Sequence, residues 1–169
     1  MAKKESLILD TSILIDVHCG DLLKKICKLD ADFIAADGII PELKEPGFED
    51  VLSAGLRFIS FSPTDIKEIP NYKRIHPSLS IYDIFSLILA RQTGGILLTG
   101  DSHLRNIATK YGLPVHGTLW LIDELVINNI ISPKTATESL NKMLNFGSRL
   151  PLSECDMLKE KWIKHSKSK

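Results

Sequence analysis

Apolar residues fall along this chain in two alternating rhythms: short unbroken runs, and longer stretches in which they recur every three or four positions. The opening segment LILDTSILID holds both. Its run 7–9 reads as a buried strand that stops at Asp10, and the apolar positions within 13–17 read as a helix directly behind it. The run 33–36 predicts a second strand, followed by IIPEL, where Pro41 suits the first turn of a helix and places Glu42 in that turn. FISF at 58–61 predicts a third strand. It is closed by Ser62 and Pro63 and followed by a mixed polar stretch through His76 and Pro77.

The clearest helix is predicted over 80–92, where Ile81, Ile84, Phe85, Ile88 and Leu89 form a core-facing stripe ended by Gly94 and Gly95. A strand over 96–99 then stops at Gly100 and Asp101, and Leu104, Ile107 and Ala108 mark a helix punctuated by Gly112. A last short strand covers 113–115, and Gly117 separates it from an apolar helix over 119–126. Strands that alternate with helices through short connections imply a parallel sheet covered on both faces, so the fold class is α/β. Beyond Asn128 two helices follow without strands. Ser132 and Pro133 start the first, Leu140, Met143 and Leu144 give it an apolar face, Gly147 stops it, and Ser153 caps the second.

Composition narrows the class. A chain of 169 residues with 44% apolar content can bury one sizeable core. Twenty-one basic residues balance 21 acidic ones, so bulk charge gives no argument for nucleic-acid binding. Cys19, Cys27 and Cys155 are odd in number and lack zinc spacing, which fits a reducing, cytosolic setting. Lys3 and Lys4 precede an apolar stretch, but Asp10 and Asp16 interrupt it, so it is not expected to act as a signal peptide. No apolar run approaches the ~20 residues of a membrane span, and a soluble protein is expected. The closing KEKWIKHSKSK sets Lys159, Lys161, Lys164, Lys167 and Lys169 against Glu160, a small basic tail read as solvated and frayed.

Four acids stand out by their place in this pattern. In an open α/β sheet, ligands bind beyond the carboxyl ends of the strands, where Asp10 and Asp101 both fall. Glu42, at the start of the helix predicted after the second strand, can face the same edge. Asp83 completes a Ser80-x-x-Asp83 capping box, yet it lines up with Leu87 and Ala90 on a second apolar side of its helix, an odd place for a mere surface charge. Four carboxylates in one cleft would repel by about 1 kcal/mol per pair at 4 Å in water, and by about 4 kcal/mol at the dielectric near a protein surface. A cation must offset that. Oxygen donors without His or Cys favour Mg²⁺ or Mn²⁺, ions suited to in-line phosphodiester hydrolysis. Ser12 or Thr11 can orient Asp10 by hydrogen bonding.

Those segments, LILDTSILID, IIPEL, LSIYDIFSLILA and LLTGDSHLRNIA, resemble in content and order the signatures of PIN-domain proteins, close to the VapC-type toxins of toxin–antitoxin pairs. They cover residues 5–118, and HGTLWLIDELV with the closing helices resembles a subfamily with a helical carboxyl-terminal extension. The resemblance implies a three-layer PIN-like fold, a central mostly parallel sheet flanked by helices, with residues 1–128 as nuclease domain and 129–169 as a helical extension packed on it. It implies a Mg²⁺- or Mn²⁺-dependent endoribonuclease whose acidic positions are Asp10, Glu42, Asp83 and Asp101, supported by Ser12 and Thr99. It also implies homodimers and, for toxin members, an antitoxin partner. One departure is His103, where some PIN proteins carry a further acid.

His103 and Arg105 are candidates for RNA contact, with Lys44, Lys73 and Arg74 as weaker ones; His18, His76 and His116 suggest no shared site. A haloacid-dehalogenase-type phosphatase also uses an aspartate after its first strand, but it needs DxD, and here Ser12 stands two residues past Asp10. No Walker loop or dinucleotide fingerprint is present. The remaining alternative is a PIN-fold module that binds RNA or protein without useful turnover.

Overall fold

Strand β1 (Ser6–Leu9) lies at the centre of the sheet because nearly every side chain on it is apolar and buried, which only an inner strand covered on both faces can satisfy. The computed structural model describes residues 4–167; Lys3 and Lys169 of the two basic ends lie outside them. Flanking β1 are β2 (Asp32–Ala36) and β4 (Ile96–Leu98), with β3 (Arg57–Ile59) and β5 (Val115–His116) at the edges. The order is β3-β2-β1-β4-β5 and every pairing is parallel. The strand order reverses between β1 and β4, and the crevice beyond their carboxyl ends is where such sheets place ligands.

Helix α1 (Thr11–Cys19) leaves β1 directly, and the short α2 (Leu23–Ile26) leads back to the sheet. Helices α3 (Phe48–Ala54) and α4 (Pro63–Ile75) flank β3 in the chain, and α5 (Ile81–Thr93) packs on β1, β2 and β4. Helix α6 (Ser102–Lys110) joins β4 to β5 and α7 (Thr118–Ile127) follows. Helix α8 (Pro133–Asn145) packs on α1 and α7, and α9 (Leu152–Lys167) packs on α7 and α8. No described helix is long and apolar enough to cross a membrane.

Several local expectations are corrected. IIPEL does not open an α-helix: residues Asp37–Glu42 form a 3₁₀ turn, and Glu42 is its last residue instead of sitting in a first turn. Pro41 has no N–H to extend an α-helical ladder, and Leu43 donates to Ile40, a bond of 3₁₀ spacing. The close approach of this turn to α5 also requires Gly38, where a Cβ would lie 2.5 Å from the Phe85 ring. The polar stretch after β3 is a helix, α4. Ser62 and Asp65 form a capping box at its start with Pro63 behind the cap, but only Ile69 is buried, so its apolar stripe is too narrow to read.

Helix α5 buries Ile84, Ile88 and Leu89 as expected and also Ser86, Leu87 and Ala90, whereas Ile81 is exposed and Phe85 only half-buried. The last strand, expected over 113–115, is instead Val115 and His116, starting two residues later and ending one later. Ser153 does not cap α9: the Pro151 carbonyl accepts the first helical bond from Cys155, so Ser153 lies inside the first turn. The basic tail is not frayed through its described length. Trp162 is buried, and its indole N–H donates to Asp123, 2.9 Å away, beside Lys161 at 2.5 Å from the same carboxylate. All three cysteines are unpaired.

Asp16, read only as a break in an apolar run, ties these parts together. Its buried carboxylate accepts hydrogen bonds of 2.6 Å from the hydroxyls of Thr118, at the start of α7, and of Ser148, between α8 and α9. Removing it leaves two hydroxyls without acceptors, each costing about 1–3 kcal/mol. Asp16→Ala is therefore expected to lower unfolding stability by roughly 2–4 kcal/mol, read as a shifted urea midpoint at an unchanged slope.

Candidate metal centre

Asp10 ends β1 and begins α1, and it is only 4% exposed although nothing cationic pairs with it among the described residues. Hydroxyl groups surround it instead. Ser12 and Thr99 each donate to Oδ2 at 3.0 Å, and Ser86 stands 3.5 Å from Oδ1. Burial and then the neighbouring negative charge of Asp83 push the Asp10 carboxyl up to about 6, against the pull of these hydroxyls and of the Thr11 N–H. Ser12 and Thr99, both named from the sequence as supporting positions, are the residues that donate to Oδ2. Ser86 was missed, although a serine three residues after Asp83 in an otherwise apolar helix was a legible signal.

The other three acids are arranged around this carboxylate at one remove. Asp83 stands in the first turn of α5, half-buried; one of its oxygens accepts the Ser80 N–H at 2.7 Å, so it completes the capping box and faces Asp10's field at the same time. Asp101 is the cap of α6, its Oδ1 accepting the Leu104 N–H at 2.8 Å, while its own N–H reaches Thr99 Oγ1 at 3.0 Å. The chain Asp101–Thr99–Asp10 therefore spans the β4 and β1 ends. Glu42 is exposed and accepts a 2.5 Å bond from the hydroxyl of Thr11, the residue after Asp10. Ser12 also receives the Gly100 N–H at 3.0 Å, which pins the two loops together.

Of the basic candidates, Arg105 is committed to the fold: its guanidinium donates to the carbonyls of Thr99, at 3.0 Å, and Val115, at 3.5 Å. His103 is exposed in the first turn of α6. Lys73 donates to the carbonyls of Pro77 and Leu79, Arg74 to Asn71, and Lys44 is exposed. His76 bonds Tyr111, and His116 stacks on Trp120.

The donor chemistry fits a hard divalent cation, since carboxylate and hydroxyl oxygens are all it offers and Asp10 carries negative charge that a cation would relieve. Among the described residues no three acidic, histidine or cysteine side chains stand close enough to form a closed cage.

A parallel sheet whose switch point holds a buried acid, with further acids at the neighbouring strand and helix ends, defines an α/β protein of the PIN type. The family model described as DUF3368: PIN domain matches residues 6–164, and the chain belongs to that family. Among solved structures, a PilT N-terminus domain protein from the hyperthermophilic archaeon Sulfolobus solfataricus P2 is similar in fold, with a TM-score of 0.52 and 16% identity, covering 70% of this chain and 92% of the other. A domain of a functionally unknown protein from Methanocaldococcus jannaschii aligns at a TM-score of 0.45 and 21% identity, covering 67% and 90%. No curated protein matches the chain.

The state of Asp10 sets a pH dependence. Its folded value lies above the ordinary carboxylate value, so the native state binds the extra proton; the contribution of Asp10 to stability is fullest below about pH 4 and is lost as pH rises through about 6. Two pKa units correspond to roughly 3 kcal/mol. In EDTA, Asp10→Asn is expected to raise stability at pH 7.5 by up to that amount and to change little at pH 4, as read by urea unfolding at both pH values.

Proposed function

We propose that this protein is a Mg²⁺- or Mn²⁺-dependent endoribonuclease, with Asp10, Asp83, Asp101 and Glu42 as the residues that would hold the ion. PIN domains are typically metal-dependent nucleases, and the observation that carries the reading is the buried, uncompensated Asp10 at the sheet's switch point with Asp83 raising its pKa. A bound ion would supply charge stabilisation to a phosphoryl group and lower the pKa of an attacking water. The chain's own residues do the rest. Ser12 and Thr99 fix the direction of the Asp10 carboxylate, and Asp101 is fixed through Thr99 and the α6 amino terminus. Exposed His103 would meet RNA backbone, while Arg105 holds the loop beneath it.

The likeness to VapC-type toxins extends the proposal to action in the cytosol, a homodimer and a cognate antitoxin protein. A second reading, a PIN-fold module that binds RNA or protein without turnover, is favoured by the lack of a closed acidic cage among the described residues.

Purified protein is expected to cleave single-stranded RNA with Mn²⁺ or Mg²⁺ and to stop in EDTA. Asp10→Asn and Asp101→Asn should each lower the rate at least about a hundredfold, since the charge stabilisation at stake is several kcal/mol, with circular dichroism unchanged. Cleavage undiminished in both variants would refute the site; RNA binding without cleavage in the wild type would favour the module.

A further inference from the structure

Next to the acidic cleft, and sharing Thr99 and Gly100 with it, lies a cavity of about 460 Å³ between the β4–β5 edge and the loop that connects α8 to α9. Its volume falls within the range of small-ligand pockets. His116 and Trp120 line it as a stacked pair, ring centroids 4.3 Å apart and planes within 10°. Burial, and then the Arg105 charge, hold the His116 imidazole below its ordinary pKa, so at neutral pH it is an uncharged plate.

The rest of the lining is basic on balance. Arg105 and Arg149 face the space against a single carboxylate, Glu154. Arg105 spends donors on two carbonyls, whereas Arg149 sits exposed on the α8–α9 loop. Gly117 and Thr118, at the start of α7, also line the cavity, with the Thr118 hydroxyl already committed to the buried Asp16 carboxylate. The Arg149 guanidinium suits an oxyanion, and the paired rings suit a flat heteroaromatic group. A nucleotide has both.

We propose that this cavity is a subsite for one nucleotide of a single-stranded RNA, with its base extending the His116–Trp120 stack and its phosphate meeting Arg149. The proposal rests on the ribonuclease reading and adds where the strand beside the cleaved bond is held. Thr99 gives the geometric link: its hydroxyl holds Asp10 while the residue walls the cavity, so a nucleotide bound there carries its neighbouring phosphate toward the acids. The closing helices thereby acquire a role in substrate binding, because Arg149 and Glu154 come from that part of the chain.

The test uses the full chain in EDTA, titrated with a short single-stranded RNA and with nucleoside 5′-monophosphates while tryptophan emission is followed. Trp120 is the reporter, since Trp162 is buried against Asp123. RNA is expected to quench emission, and Arg149→Ala, on an exposed loop, to weaken RNA binding about tenfold, the scale of one stacked or charge-assisted contact. With Mn²⁺ the same variant should raise KM for RNA by a similar factor and leave kcat within about twofold. The wild-type His116 ring resonances should shift on RNA addition, a readout that needs no variant.

No quenching, or RNA affinity unchanged in both Arg149→Ala and His116→Ala, overturns the subsite. So does binding of monophosphates with RNA affinity indifferent to Arg149, which would mark a pocket for free nucleotides. The two readings fail separately. Asp10→Asn should keep the RNA-dependent quench while losing cleavage; quenching without any wild-type cleavage leaves the subsite standing and removes the nuclease, and cleavage with an unaltered KM in Arg149→Ala does the reverse.

Discussion

A carboxylate placed out of water without a positive partner is costly, and the arrangement around Asp10 follows from managing that cost. Desolvation favours its protonated form, and the field of Asp83 adds to the bias. Against it stand hydroxyls from three separate elements, Ser12 on α1, Thr99 after β4 and Ser86 on α5. A neighbouring lysine would have been the simpler remedy for stability. Hydroxyl donors orient the acid without neutralising it, which leaves the negative charge available to a diffusible cation.

The same constraint explains why the four acids are not equivalent. Asp83 and Asp101 each give one oxygen to a helix amino terminus, so both are held by a local device that costs nothing in burial. Each keeps its second oxygen for another task. Glu42 is held by one hydroxyl at the end of a 3₁₀ turn.

Much of this was legible in the residues because strands and amphipathic helices announce themselves by period. The run ending at Asp10 and the stripe through Ile84 and Ile88 fixed the central strand and the helix that covers it. Helix α4 was illegible since its polar faces outnumber its single buried residue, and Pro70 inside it argues locally against a helix. The segment ending at Glu42 departs from the expected α-helix because Pro41 supplies no N–H for an α-helical ladder and Leu43 closes on Ile40 instead. Contacts between distant segments left no trace in spacing. Asp16 meets Thr118 and Ser148 across more than a hundred residues, and the His116–Trp120 pair joins the acidic cleft only through the parallel pairing of β5 with β4.

The central position of β1 has a consequence for the order of events during folding. Asp10 becomes enclosed only when β4 docks beside β1 and brings Thr99 against it, a closure spanning 89 residues of chain. Before that pairing the aspartate is an ordinary solvated acid with an ordinary proton affinity. The chemical character of the centre is thus a late product of assembly, and an incomplete chain lacking the second half of the sheet has the residue but not the environment that gives it meaning.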